Sequence, residues 1–216
     1  MNVAKISVRA RCSFPAWDYR ETPFRPQDFS WQLYVLAVKN DRLRMKERYA
    51  RLPIGIGGAL THFNSRNTQV VAEGYARWIV DKVHQFNIQK PVFVAIPNRT
   101  ALANVDDFRT AQLARLAAHF HGPGAAYFTG LRFINLVSKG DKRRQGSAEL
   151  RNNMMLIGTP PEGRLIFLDD VYTEGHHFSA AHTFLPSTDL GIVAGRTVKE
   201  PQVDMAAEVG LAHYCF

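Results

Sequence analysis

The sequence predicts an α/β fold, a central mainly parallel sheet flanked by helices, and three observations carry the prediction. A short apolar run, residues 92–96, stops at Pro97 and is followed by a loop and an amphipathic stretch over residues 106–120. The same order of strand, loop and helix recurs at residues 165–168, 169–177 and 178–185. One more apolar run, residues 192–194, supplies a further strand. Strands alternating with helices imply parallel pairing with both faces covered, and in such sheets ligands bind beyond the carboxyl ends of the strands.

Residues 13–34 come first in order and mix Phe14, Pro15, Trp17, Tyr19, Pro23, Phe24, Pro26, Phe29, Trp31 and Tyr34. Interspersed prolines break both helical and strand periods, so an aromatic-pinned cap is expected here rather than a sheet. Trp17, Phe24, Phe29 and Trp31 either stack a base or pack that cap onto the sheet. Residues 52–60, with Gly55, Gly57 and Gly58, read as a loop, because the G-x-G-G lacks a strand before it and a helix after it. Over residues 68–86, Val71, Tyr75, Trp78, Ile79, Val83 and Phe86 recur at three and four residues, which predicts an amphipathic helix covering the sheet. The helix over 106–120 buries Phe108, Leu113, Leu116 and Phe120, and residues 209–216 form a last strand or an interface.

Composition narrows the class. With 216 residues, 46% hydrophobic and 21% charged, the chain is long enough for a core and is neither disordered, collagen-like nor a coiled coil. Twenty-seven Lys and Arg against 19 Asp and Glu leave a net charge of +8, which favours an anionic partner: nucleic acid, an acidic membrane surface or a phosphorylated small molecule. Lys139, Lys142, Arg143, Arg144 and Arg151 form the densest basic cluster, suited to a local phosphate contact or a solvated loop rather than to a long duplex footprint. Cys12 and Cys215 lie near opposite ends without C-x-x-C spacing, so a reducing, cytoplasmic setting is expected. The first residues lack an apolar signal core, and no run approaches the roughly 18 apolar residues of a membrane span.

The chemistry concentrates in residues 164–178, RLIFLDDVYTEGHHF. A buried strand there delivers Asp169 and Asp170, adjacent carboxylates able to accept hydrogen bonds from vicinal sugar hydroxyls or to help anchor a metal bound to them. Thr173, Glu174, Gly175, His176 and His177 then form a turn opening a helix. Backbone N–H groups at such a turn converge on one anion, and Gly175 permits the positive φ the turn needs. An acid pair beside an anion cradle suits a sugar phosphate.

This stretch resembles the ribose-phosphate signature of the type I phosphoribosyltransferases, an apolar strand running into Asp-Asp or Glu-Asp and then Thr-x-Gly-x-Thr. Phe167, Leu168, Asp169, Asp170, Val171, Thr173 and Gly175 fall on the pattern, while His177 stands where the family usually has Thr and Glu174 is a further departure. Other segments are similar to the competence-protein, ComF-like branch. VFVAIPNRT, with Pro97, Asn98 and Arg99, resembles the pyrophosphate-binding loop; VDDFRTAQLARLAAHF resembles the helix after it; KGDKRRQGSAELRNN, with Lys142, Arg143, Arg144, Gln145, Arg151 and Asn153, resembles the flexible loop. The likeness spans roughly residues 92–199.

The resemblance implies a phosphoribosyltransferase-like core over residues 91–216 and a hood with its covering helix over residues 1–90. It implies binding of 5-phosphoribosyl 1-pyrophosphate (PRPP) with Mg²⁺, held through Asp169 or Asp170, and transfer of the phosphoribosyl group to a nitrogenous acceptor. Asp169 and Asp170 would be the catalytic pair, with residues 169–177, including Tyr172 and His176, on the ribose phosphate. Pro97, Asn98, Arg99, Lys142, Arg143, Arg144 and Arg196 would face the pyrophosphate. The alternative is a PRPP- or nucleotide-binding regulator that has lost transfer, associated with nucleic acid, a second copy of the chain or another protein. His176, His177 and His182 lack the i, i+3 or i, i+4 spacing of helical zinc ligands.

Overall fold

The computed structural model describes residues 4–15, 28–39, 49–98, 101–136, 146–198 and 204–215. Its first half comprises β1 (Ala4–Pro15), α1 (Asp28–Lys39), β2 (Tyr49–Pro53), β3 (Leu60–Asn64), α2 (Gln69–Gln85), β4 (Pro91–Ala95) and α3 (Arg109–His121). The second half comprises β5 (Ala126–Phe128), β6 (Leu131–Phe133), α4 (Ser147–Asn152), β7 (Met154–Leu156), β8 (Arg164–Tyr172), α5 (His176–Phe184), β9 (Leu190–Val198) and β10 (Val209–Cys215).

Six strands form the main sheet in the order β10-β1-β9-β8-β4-β5. All neighbours pair in parallel except β10, which runs antiparallel to β1. Val92, Val94 and Phe167 point to one face while Phe93, Ile166 and Leu168 point to the other, so the strands are apolar on both sides and read as continuous runs. Helices α1, α2 and α3 bury Tyr34, Tyr75, Ile79 and Leu113 against the second face. On the first face lie α5, Leu150 of α4 and the β6–β7 hairpin.

The order of the strands has a reversal that matters for function. From β4 the chain crosses through α3 to β5 on one side, then returns to β8 on the other side of β4 and crosses through α5 to β9. Helices α3 and α5 therefore cover opposite faces, and the strand order reverses between β4 and β8, whose carboxyl ends are the place where ligands of open parallel sheets bind.

Four segments differ from the sequence expectation. Residues 4–15, assigned to the hood, form β1 inside the main sheet, because Ile6, Val8 and Ala10 alternate with Lys5, Ser7 and Arg9 and bury one edge-to-edge row. Part of the aromatic cap is helical: α1 buries Trp31, Leu33, Tyr34, Val35, Ala37 and Val38. Trp31 packs edge-on to Tyr34 at 5.5 Å, which is a core role; Trp17 and Phe24 lie outside the described residues. The expected loop over 52–60 is the tip of the β2–β3 hairpin, turned through Gly57 and Gly58 in left-handed conformation, with φ of 64° and 79°. Finally, β8 does not stop before the acid pair but carries it within the strand, paired with β9 as far as Tyr172 and Arg196.

Candidate functional site

Strand β4 ends at this reversal. Ala95 pairs with Leu168, and the Ile96 amide donates to the Leu168 carbonyl at 2.9 Å, so the chain leaves the sheet through Pro97 and Asn98 beside the acid pair. The buried Thr110 hydroxyl, in the first turn of α3, donates to the Ile96 carbonyl at 2.5 Å and fixes that exit. Pro97 is buried and Asn98 half-buried; Arg99 lies outside the described residues, as do Lys142, Arg143 and Arg144.

Asp169 and Asp170 are buried, at 6% and 9% exposure, rather than standing open at a strand end. One Asp169 carboxylate oxygen accepts from the Asp170 amide at 2.7 Å, and the other lies 3.8 Å from Nδ1 of His177. Burial pushes the Asp170 carboxyl up to about 7, and the neighbouring Asp169 charge adds to the rise. Lys39 and His177 act in the opposite sense. Asp170 thus holds a proton more readily than an ordinary carboxyl, and in the protonated form can donate to a hydroxyl as well as accept from one.

Lys39 is a site residue that sequence reasoning missed. Its charge acts on Asp170 through space from the exposed last position of α1, and that end of the helix is tied by Arg109 of α3, which donates to the Val38 and Ala37 carbonyls at 2.6 and 2.9 Å. Tyr75 was also missed as a site residue, although its place on the buried face of α2 was expected. Its fully buried hydroxyl lies 2.9 Å from the Asp169 carbonyl and 3.2 Å from that of Ile192, bracing β8 and β9 at the acid pair.

After Val171 and Tyr172, both half-buried, the exposed Thr173 and Glu174 make the turn. Gly175 is the N-cap of α5 with φ 76° and ψ 9°, a left-handed conformation natural to glycine, and no side chain caps the helix. The first amides of α5, at His176, His177 and Phe178, have no partner within the helix and face outward from its positive end. Glu174 pairs with Nε2 of His176 at 3.1 Å, a contact that takes up the carboxylate within the turn. His177 sits between Asp169 and Phe133 of β6, whose ring is edge-on at 6.1 Å.

Arg196 lies in β9, level with Tyr172, and its Nε donates to the buried Ser13 hydroxyl of β1 at 3.0 Å. The segment expected to form the flexible loop is necked where it is described: the Asn153 side chain accepts from the Asn135 amide at 2.9 Å and donates to the Asn135 carbonyl at 3.0 Å. Behind the turn at Gly175, His213 of β10 touches Tyr172 and Ser179, residues with no expected role beyond Tyr172's place in the motif. No helix among the described residues is long and apolar enough to cross a membrane. No protein-family model matches the chain, and no curated protein is significantly similar to it in sequence.

Proposed function

We propose that the chain binds PRPP with Mg²⁺ at the carboxyl ends of β4 and β8 and transfers its phosphoribosyl group to a nitrogenous acceptor. One observation carries this reading: an acid pair and an uncapped helix start, joined by a left-handed glycine, sit together where the strand order reverses. The 5-phosphate is taken by the amides of residues 175–177, and the ribose hydroxyls by Asp169 and Asp170. The +8 net charge favours arrival of such a polyanion.

The acceptor nitrogen attacks the anomeric carbon; the carbon–nitrogen bond forms as the bond to pyrophosphate oxygen breaks, and the pyrophosphate leaves with the electron pair. The acceptor's proton passes to solvent or to the pyrophosphate. The negative charge that the acid pair carries favours positive charge developing on the ribose ring. Two hard carboxylate oxygens suit Mg²⁺, which usually takes one or two carboxylates and completes its shell with substrate phosphates and water; among the described residues no group of three or more His, Cys, Asp or Glu forms a cage. Held by Asp169 or Asp170, Mg²⁺ would supply positive charge to offset that of the departing pyrophosphate.

A second reading, a PRPP- or nucleotide-binding regulator without transfer, is favoured by the burial of both carboxylates and by the raised proton affinity of Asp170, which reduces the negative charge offered to a cationic ring. Thermal melting with PRPP and Mg²⁺ tests the common ground. Ligand at about 100 times its dissociation constant stabilises by roughly 2.7 kcal/mol, and Asp170→Asn should abolish most of that gain. No shift with PRPP or with a nucleoside monophosphate at millimolar levels refutes both readings. Release of pyrophosphate with an acceptor selects the enzyme, and a shift without release selects the regulator.

A further inference from the structure

His213 lies far from the phosphoribosyl motif in the sequence, yet its ring is built into the back of the phosphate turn. It projects from β10 at 7% exposure, with Nδ1 3.0 Å from the Tyr172 hydroxyl and Nε2 2.8 Å from the Ser179 hydroxyl. Tyr172 is the last residue of β8 and Ser179 stands in the second turn of α5, so one imidazole spans the turn between them. The same ring occupies the space beside Gly175: a Cβ on that glycine would stand 2.3 Å from Cε1 and 2.4 Å from Nδ1 of His213. Phe178 closes the ring's surroundings, edge-on at 6.3 Å, and Tyr172 is edge-on at 5.8 Å.

We propose that His213 is a positioning residue for the phosphate turn: it ties the end of β8 to α5 through both ring nitrogens and fills the space Gly175 leaves. The amides of residues 175–177 are thereby held in the shape that receives a phosphate monoester. This inference rests on the reading that the turn takes the 5-phosphate of a ribose. It adds β10, the antiparallel edge strand, to the elements that build the site. Either hydroxyl can donate or accept, so a neutral ring satisfies both contacts in either tautomer. A side chain with one amide, such as Gln, keeps one tie, and Ala keeps none.

The test uses the full chain and two readouts. Amide hydrogen exchange on the free protein should show residues 179–182, the first hydrogen-bonded amides of α5, exchanging at least tenfold faster in His213→Ala, with the amides of α2 unchanged; His213→Gln should recover part of the protection. Calorimetric titration with PRPP and Mg²⁺ should show His213→Ala binding at least tenfold more weakly than wild type, with His213→Gln between them. If His213→Ala does not fold, the Tyr172→Phe/Ser179→Ala double variant removes the same two ties and is judged by the same criteria. Unchanged protection at residues 179–182 overturns the positioning role whatever the ligand, and so does wild-type affinity in the variants. Wild type that binds neither PRPP nor ribose 5-phosphate overturns the ligand reading instead, and the exchange result then decides alone whether His213 holds the turn.

Discussion

The Tyr75 hydroxyl donates to the main-chain carbonyl of Asp169 across 94 residues of sequence, at 2.9 Å, with the Ile192 carbonyl 3.2 Å away. A fully buried group of α2 thereby sets the strand that carries the acid pair. The hydroxyl has a single proton, so the two carbonyls share it, and burial holds its ionisation well above the ordinary tyrosine range. The contact is a brace, not a proton donor to substrate.

Tyr75→Phe should therefore cost about 1–2 kcal/mol, the penalty for leaving buried carbonyls short of a donor while the ring's packing is kept. Urea denaturation measures it. A loss under about 0.3 kcal/mol would mean that the carbonyls are satisfied without the hydroxyl.

Asp170 gives the stability of the protein a pH dependence with a defined sign. Its folded pKa, about 7, lies above the unfolded value of 3.8, so the folded state binds the proton more tightly. Stability from this group is complete below about pH 4 and is lost as pH rises through the window up to about 7. Asp170→Asn should flatten the pH profile in that window and stabilise the free protein at pH 8 by on the order of 1–3 kcal/mol, while removing the response to PRPP. Chemical denaturation at a series of pH values follows it; equal slopes in both proteins would show that Asp170 ionises as an ordinary carboxylate.

Lys39 lowers the Asp170 pKa through space, so Lys39→Met should move the carboxyl's titration to higher pH. Carbon-detected NMR of the aspartate carboxyls reads the shift directly. A shift downward, or none, would remove Lys39 from the site.

Gly175→Ala combines a positive φ of 76° with a Cβ driven into the His213 ring. The backbone term alone is about 1–2 kcal/mol and the steric term adds to it, so the melting temperature should fall by several degrees. Ligand binding should fall with it. A Gly175→Ala protein that melts like wild type would show that the turn relaxes away from β10.

Phe167 is fully buried on the face covered by α5 and meets Phe178 edge-on at 5.9 Å. Phe167→Ala should cost about 3–5 kcal/mol, one of the larger losses available in this core. Circular dichroism melting gives the value, and a loss below 2 kcal/mol would mean that the sheet closes over the cavity.

Local periodicity made much of this molecule legible. The three-and-four spacing of Val71, Tyr75, Trp78, Ile79 and Val83 announces α2, and the runs at β4 and β8 with the helices after them announce a parallel sheet. Asp169, Asp170 and Gly175 are adjacent in sequence, so their chemistry could be read before any fold was known. The strand β1 was hidden because its apolar row is interleaved with Lys5, Arg9 and Arg11, although the alternation itself was a signal. In α1 the buried Trp31, Tyr34, Val35 and Val38 recur at three and four residues, a helical signal masked by the prolines and aromatics that precede it in residues 13–29.

Sequence by itself determined the alternation of strand and helix, the acid pair and the glycine turn, since each depends on neighbours within a few residues. Only tertiary structure decided that the acids are buried and that Asp170 titrates near neutrality, because burial is set by what packs over a group. It alone brought Lys39, Tyr75 and His213 to the motif. Those contacts depend on strand order and on which helix covers which face, and no local spacing encodes either.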